Sequence, residues 1–282
     1  MKIHVSIYHI KYSMTKSSCI PLRTARRANE LECGVDEVAR GCLFGRVYAG
    51  AVVFQLPRPD SQASDPVPPF PQLPKGIVIR DSKTMSRTQR ERAAQWIHKH
   101  AYAVSVMYKD ETYIDEHNIL QSAQDAMGDA VRALQTIVKT KAADYDTSDF
   151  NRIDRLLVDG QVFKPNPSVG IPPLCVVKGD SIYMSIACAA IVAKVAHDVY
   201  VQELCDLYPN LALWYDLRNN VGYGTVKHRT GLQTRGVTPF HRKTFGGCSD
   251  VGLAIGWDIT TDKHDDSQHM VHDKNDMARN ES

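Results

Sequence analysis

A chain of 282 residues that is 43% hydrophobic and 23% charged has ordinary globular composition, with enough apolar material for a sizeable core in one or two domains. No apolar run reads as a membrane span and no unbroken apolar stretch marks a secretory leader, so an intracellular protein is expected. The formal net charge of +2 conceals a basic start, with six Lys/Arg and no acid in residues 1–29, and an acidic end, with eight acids against three Lys/Arg in residues 249–282.

In chain order, residues 1–30 read as a basic, flexible arm. Their composition also fits a transit peptide, which would direct the chain to mitochondria; without import, cytoplasm or nucleus is expected. A first strand carrying Leu31, Cys33 and Val35 ends on Asp36 and Glu37. Further strand candidates are "VYAGAVVF" (47–54), "GIVIRD" (76–81), "AYAVSVMY" (101–108), "RLLVDG" (155–160) and "LCVVKGD" (174–180), short β-branched runs bounded by turn residues. "PRPDSQASDPVPPFPQLP" (57–74) is too rich in proline for helix or sheet and reads as an inserted loop.

Helices are expected from Asp81 or Ser82 onward, over 117–140, and over 184–208. In the second, Ile119, Ala123, Ala126, Ala130, Leu134 and Ile137 recur at three- and four-residue steps and predict one apolar face laid on a sheet. The third is rich in Ala and Cys, which allows close backbone approach. Strands alternating with helices predict a mixed α/β fold. Residues 249–282 read as a disordered acidic tail whose His264, His269 and His272 receive no role. The seven cysteines are odd in number and scattered, and read as reduced thiols.

Four acids stand out. Asp36 and Glu37 end one strand, Asp159 ends another just before Gly160, and Asp198 lies in the Ala-rich helix beside Lys194. Singly, each is as readily a turn residue, a cap or a solvated helix position. Brought together they would repel one another, and hard oxygen donors without a Cys or His pattern select Mg²⁺ or Mn²⁺. Between Asp216 and Asp250 the only charged side chains are Arg218, Lys227, Arg229, Arg235, Arg242 and Lys243. That run suits phosphate contacts, or a solvated face.

The motifs "GVDEVARGCLFGRVYAGAVVF", "IRDSKTMSRTQRE", "YIDEHNIL", "LLVDGQ", "VVKGDSIYMSIACAAIVAKVAHD", "GYGT" and "TPFHRKTFG" follow one another in this sequence. In order and spacing they resemble type 2 ribonuclease H, the ribonuclease HII family, over residues 31–248. The resemblance implies a ribonuclease H-like fold: a five-stranded mixed sheet flanked by helices, with a helical C-terminal portion. It implies a metal-dependent endonuclease acting on the RNA strand of RNA/DNA hybrids and at ribonucleotides embedded in duplex DNA. Its catalytic and metal-binding acids fall on Asp36, Glu37, Asp159 and Asp198. Two Mg²⁺ or Mn²⁺ ions are implied, with Asp36 the most shared ligand and products ending in 3′-hydroxyl and 5′-phosphate.

The 2′-hydroxyl separates RNA from DNA, so a selective nuclease must touch it. The resemblance assigns that task to the backbone of Ala39, Arg40 and Gly41, and sugar packing to Tyr223. Ser82, Lys83, Lys178, Ser181 and Ser185 are further substrate contacts by the same reasoning, followed by Lys194, His228 and Arg242. Lys194 has a plainer reading as the partner of Asp198, one helical turn on. Two positions depart from the family pattern: Ala39 stands for a glycine and Gly224 for a proline. Both predict altered choice between a lone ribonucleotide and a continuous hybrid. A non-cleaving nucleic-acid binder on the same fold, or a transposase-like enzyme, fits less well, because the acids are intact and "DSK" and "GYGT" are present. A monomer is expected, with accessory subunits as the alternative.

Overall fold

The computed structural model describes residues 22–54, 72–144, 152–164, 169–254 and 257. Most of the basic arm, nearly all of the Pro-rich segment, Cys19, and the tail with its three histidines lie outside them.

Five strands form one mixed sheet in the order β3-β2-β1-β4-β5. β1 (Glu32–Val38) pairs antiparallel with β2 (Val47–Val53), which pairs antiparallel with β3 (Ala103–Lys109). On its other side β1 runs parallel to β4 (Arg155–Asp159), and β4 to β5 (Pro173–Val176). β1 and β2 are buried along nearly their whole length, so both faces of the sheet must be covered.

One face is covered by α2 (Glu111–Asp144), whose Ala126, Ala130 and Leu134 are fully buried against Cys33, Val35 and Leu156. The expected apolar stripe is therefore real, but the helical segment starts earlier. Asn118 adopts φ 64° and breaks it into two pieces. The other face is covered by α1 (Arg87–His100) and α3 (Met184–Leu207), which share a core with Val52, Phe54 and Trp96. By length and composition α3 is apolar enough to cross a membrane, contrary to the sequence reading, but it lies mostly buried in the protein. Beyond it, α4 (Pro209–Tyr215), α5 (Leu217–Asn220) and α6 (Val226–Arg235) build the helical C-terminal portion around Tyr215, Leu211 and Leu232.

Several boundaries differ from expectation. "GIVIRD" forms no strand; it bends at Gly76 (φ 91°) and lays Ile77 and Ile79 on the α1–α3 layer. α1 does not begin at Ser82. A single 3₁₀ turn, Ser82–Thr84, comes first, and Ser86 then caps α1 through a reciprocal capping box with Gln89. Residues 22–30, expected in a flexible arm, are docked: Arg23 bridges Tyr183, Ala28 is buried, and the Arg26 and Arg27 amides donate to Glu32. The start of the tail is also held, because Val237 pairs with Leu253 and Trp257 packs on Tyr208. The six cysteines among the described residues are free thiols.

Candidate active site

Parallel pairing of β1 and β4 aligns Val35 with Val158, which brings the next residues, Asp36 and Asp159, to adjacent strand ends. Gly34 faces α3, and a Cβ there would overlap the Ser185 carbonyl. Because side chains alternate along a strand, Asp36 points to that same helix face, while Glu37 turns the other way. Asp36 is 6% exposed. Burial first, and then the charges of Glu37, Asp159 and Asp180, hold its carboxyl well above the usual range. Burial also raises Glu37, against the pull of Arg40, whose Nη1 lies 3.0 Å from Glu37 Oε1.

Asp180 was absent from the expected acids, yet the fold brings it in. β5 runs parallel to β4 and ends in a 3₁₀ turn, Gly179–Ser181, where the Gly179 amide donates to Asp159 Oδ1 at 2.6 Å. Asp180 is buried. Its carboxyl is raised by that burial and by Asp81 and Asp159, with Lys83 opposing. The readable signal was a second acid just beyond the end of a parallel strand, repeating the placement of Asp159.

Asp198 stands in different company. Its Oδ1 accepts from Lys194 Nζ at 2.7 Å and from His197 Nδ1 at 3.1 Å, and its Oδ2 from Arg90 Nη2 at 3.2 Å. Burial alone would raise this carboxyl, but the His197 and Lys194 interactions hold it below the ordinary range. Both oxygens are thus occupied by the protein's own donors, whereas the charges that act on Asp36 are those of Glu37, Asp159 and Asp180. Arg90 went unnoticed in the sequence. Its signal was a cation on the face of α1 that carries the buried Ala93, Ala94 and Ile97.

Among the described residues no three acids are drawn close enough to form a closed metal centre. The donor chemistry nevertheless suits a hard divalent ion: oxygen ligands only, buried or half-buried, with the carboxyls of Asp36, Glu37 and Asp180 all raised by burial and by neighbouring acids.

Beside the acids lies the segment expected to read ribose. Ala39 is buried and takes a left-handed φ of 68°, a conformation that favours glycine. Arg40 is exposed, and Gly41 opens onto free space. Cys42 bridges Tyr223 through the backbone, and the Leu43 amide donates to the Gly222 carbonyl at 2.9 Å, so the two loops are tied together. Tyr223 remains 38% exposed; burial, Cys42 and Asp198 push its hydroxyl up to about 12.

Two expected phosphate contacts prove to be structural. Arg242 is fully buried, and its guanidinium donates to the carbonyls of Gly45 (2.8 Å), Arg40 (3.0 Å) and Arg46 (3.0 Å). His228 is also fully buried, between the Tyr223 carbonyl (Nδ1, 3.0 Å) and His241 Nε2 (Nε2, 3.1 Å). One set of tautomers satisfies the chain: Thr238 N–H donates to His241 Nδ1, His241 Nε2–H to His228, and His228 Nδ1–H to Tyr223. Burial keeps both imidazoles neutral, with His241 well below its ordinary value. Ser185 is buried under β1. Ser82 is buried too, and its carbonyl accepts from Arg90. Lys83, Lys178 and Ser181 are exposed around the acids, Lys178 in the left-handed conformation.

The ribonuclease HII family model matches residues 33–248. The ribonuclease HII of Bacteroides thetaiotaomicron is 36% identical over 227 residues, covering 80% of this chain and 95% of that protein. The one from Oceanobacillus iheyensis is 33% identical over 236 residues, covering 84% and 76%. The crystal structure of ribonuclease H2 from Pyrococcus horikoshii OT3 shares the fold, with a TM-score of 0.52 at 18% identity over 78% of this chain and 95% of that one.

Proposed function

The chain belongs to the ribonuclease HII family, metal-dependent endonucleases that hydrolyse RNA in RNA/DNA hybrids, and from that premise we propose that it also cuts duplex DNA at embedded ribonucleotides. The observation that carries the reading is the juxtaposition of a buried Asp36, crowded by the charges of Glu37, Asp159 and Asp180, with two loops that offer backbone and a tyrosine to a sugar.

In this reading Asp36, Glu37 and Asp159 would hold the metal, with Asp180 as the fourth acid. Mg²⁺ or Mn²⁺ bound there would supply activation of water and charge stabilisation at the leaving 3′ oxygen. The products then carry a 3′-hydroxyl and a 5′-phosphate. The chain's own part is placement. The Ala39–Gly41 backbone approaches the 2′-hydroxyl, Tyr223 packs on the neighbouring sugar, and the exposed cations of Arg40, Lys83 and Lys178 meet the flanking phosphates. Removal of RNA primers and misincorporated ribonucleotides follows as the cellular role, with the chain acting as a monomer.

The test is a duplex bearing one ribonucleotide, incubated with and without Mg²⁺ beside an Asp36→Asn variant. Metal-dependent cleavage by the parent and none by the variant is expected. Cleavage in chelator, or undiminished cleavage by the variant, overturns the reading.

A further inference from the structure

Each cation that holds Asp198 has a second attachment, and these lead to opposite sides of the substrate-facing surface. Arg90 places Nη2 on Asp198 Oδ2 and Nη1 on the carbonyls of Met85 (2.6 Å) and Ser82 (3.3 Å), the turn that presents Lys83. Its Nε is a buried donor without an acceptor among the described residues, so the guanidinium is committed to these carbonyls and to Asp198 at some cost. Lys194 places Nζ on Asp198 Oδ1 and lies 5.3 Å from the centre of the Tyr223 ring. His197 donates to that same oxygen and faces Cys42 Sγ from 4.0 Å, and Cys42 bridges Tyr223 through the backbone. One carboxylate therefore joins the Lys83 turn, contributed by the start of the α1 layer, to the tyrosine loop, contributed by the C-terminal helices.

We propose that Asp198 is a positioning residue that couples Lys83 to Tyr223 through Arg90 and Lys194, and so sets the spacing between two contacts on the nucleic acid. The inference rests on the reading of Lys83 and Tyr223 as substrate contacts. It follows from geometry rather than from charge alone: a solvated carboxylate would have no need of three donors from two helices, and losing one partner of such a buried network frees the others to move. The asparagine variant keeps the shape and one acceptor oxygen, but weakens the hold on both cations.

The measurement is a cycle of Lys83→Ala and Tyr223→Ala, alone and together, in the parent and in Asp198→Asn. Affinity for the single-ribonucleotide duplex is read in Ca²⁺, and cleavage in Mg²⁺. In the parent the two substitutions are expected to be non-additive by about fivefold in affinity. In Asp198→Asn they become independent, and Mn²⁺ binding measured by calorimetry is unchanged. Equal non-additivity in both backgrounds, additivity in the parent, or loss of Mn²⁺ binding in Asp198→Asn overturns the proposal, the last by making Asp198 a metal ligand. If Asp198→Asn fails to fold, Arg90→Met and Lys194→Met, each severing one arm, replace it in the same cycle and with the same outcomes. A parent that binds the duplex in Ca²⁺ but does not cut it in Mg²⁺ sinks the functional reading, while the affinity cycle still decides the coupling.

Discussion

At the ends of β1 and β4 buried polar groups oppose one another, whereas around residues 40–46 they are almost completely reconciled. Asp36 lies among three other acids, and its proton affinity is raised by each of them. In the loop that follows β1, Arg242 satisfies three backbone carbonyls at once, and the His241–His228 pair passes hydrogen bonds from Thr238 to Tyr223. The two regions divide the labour of the site. The acid edge is left short of positive charge, which suits a place where cations and a phosphate are to arrive. The neighbouring loops hold backbone at fixed coordinates, which suits recognition of a sugar.

Breaking either side should give opposite signatures. Asp36→Asn should lose cleavage entirely in a gel assay, yet the metal-free protein should melt no lower than the parent at pH 8, because a repulsive charge has gone. Arg242→Met should do the reverse at first order. It strands three carbonyls, one buried and two part-buried, and a loss of about 3 kcal/mol in urea denaturation is expected.

A titration sharpens the contrast. Glu111, at the start of α2, is pushed up to about 7, by burial first, despite the charges of Arg46 and Arg242. An acid raised on folding binds more protons in the native than in the unfolded state. Its presence therefore costs stability as pH rises from about 4.5 to 7, and the cost persists above that. Glu111→Gln should stabilise the protein by about 3 kcal/mol at pH 8 and by nothing near pH 4. Urea midpoints for parent and variant at the two pH values provide the check, and a gain independent of pH would refute it. The smallest effect belongs to Ala39→Gly. Relief of the left-handed strain should add about 1 kcal/mol of stability, and the variant should prefer a lone ribonucleotide over a continuous hybrid more strongly than the parent. Equal cleavage ratios for the two proteins on both substrates would remove the second claim.

Much of this fold could be read from patterning, since strand and helix periods are local properties. The buried stripe of α2 and the two acid-ended strands follow from side chains spaced every three to four residues, or every two. "GIVIRD" misled for a physical reason: β-branched residues also suit a buried connection, and only the edges a sheet leaves open decide between the two. The position of Asp198 in sequence could not show its environment either. A helical acid beside a lysine looks the same whether it faces a metal or a guanidinium. Arg90 is 108 residues away along the chain, and only folding reveals that it arrives. Asp180 is equally silent in sequence, because a Gly-Asp pair in a turn needs no further explanation until a parallel neighbour sets it beside Asp159.

Gly34 and Gly50 let β1 and β2 press directly on α3: a Cβ at the first would overlap the Ser185 carbonyl, and at the second the Ala189 carbonyl. Helix and sheet are thereby keyed together like meshed teeth, with no room to slide. The spacing between β1, which bears Asp36, and α3, which carries Asp198, is set by backbone contact rather than by side-chain volume.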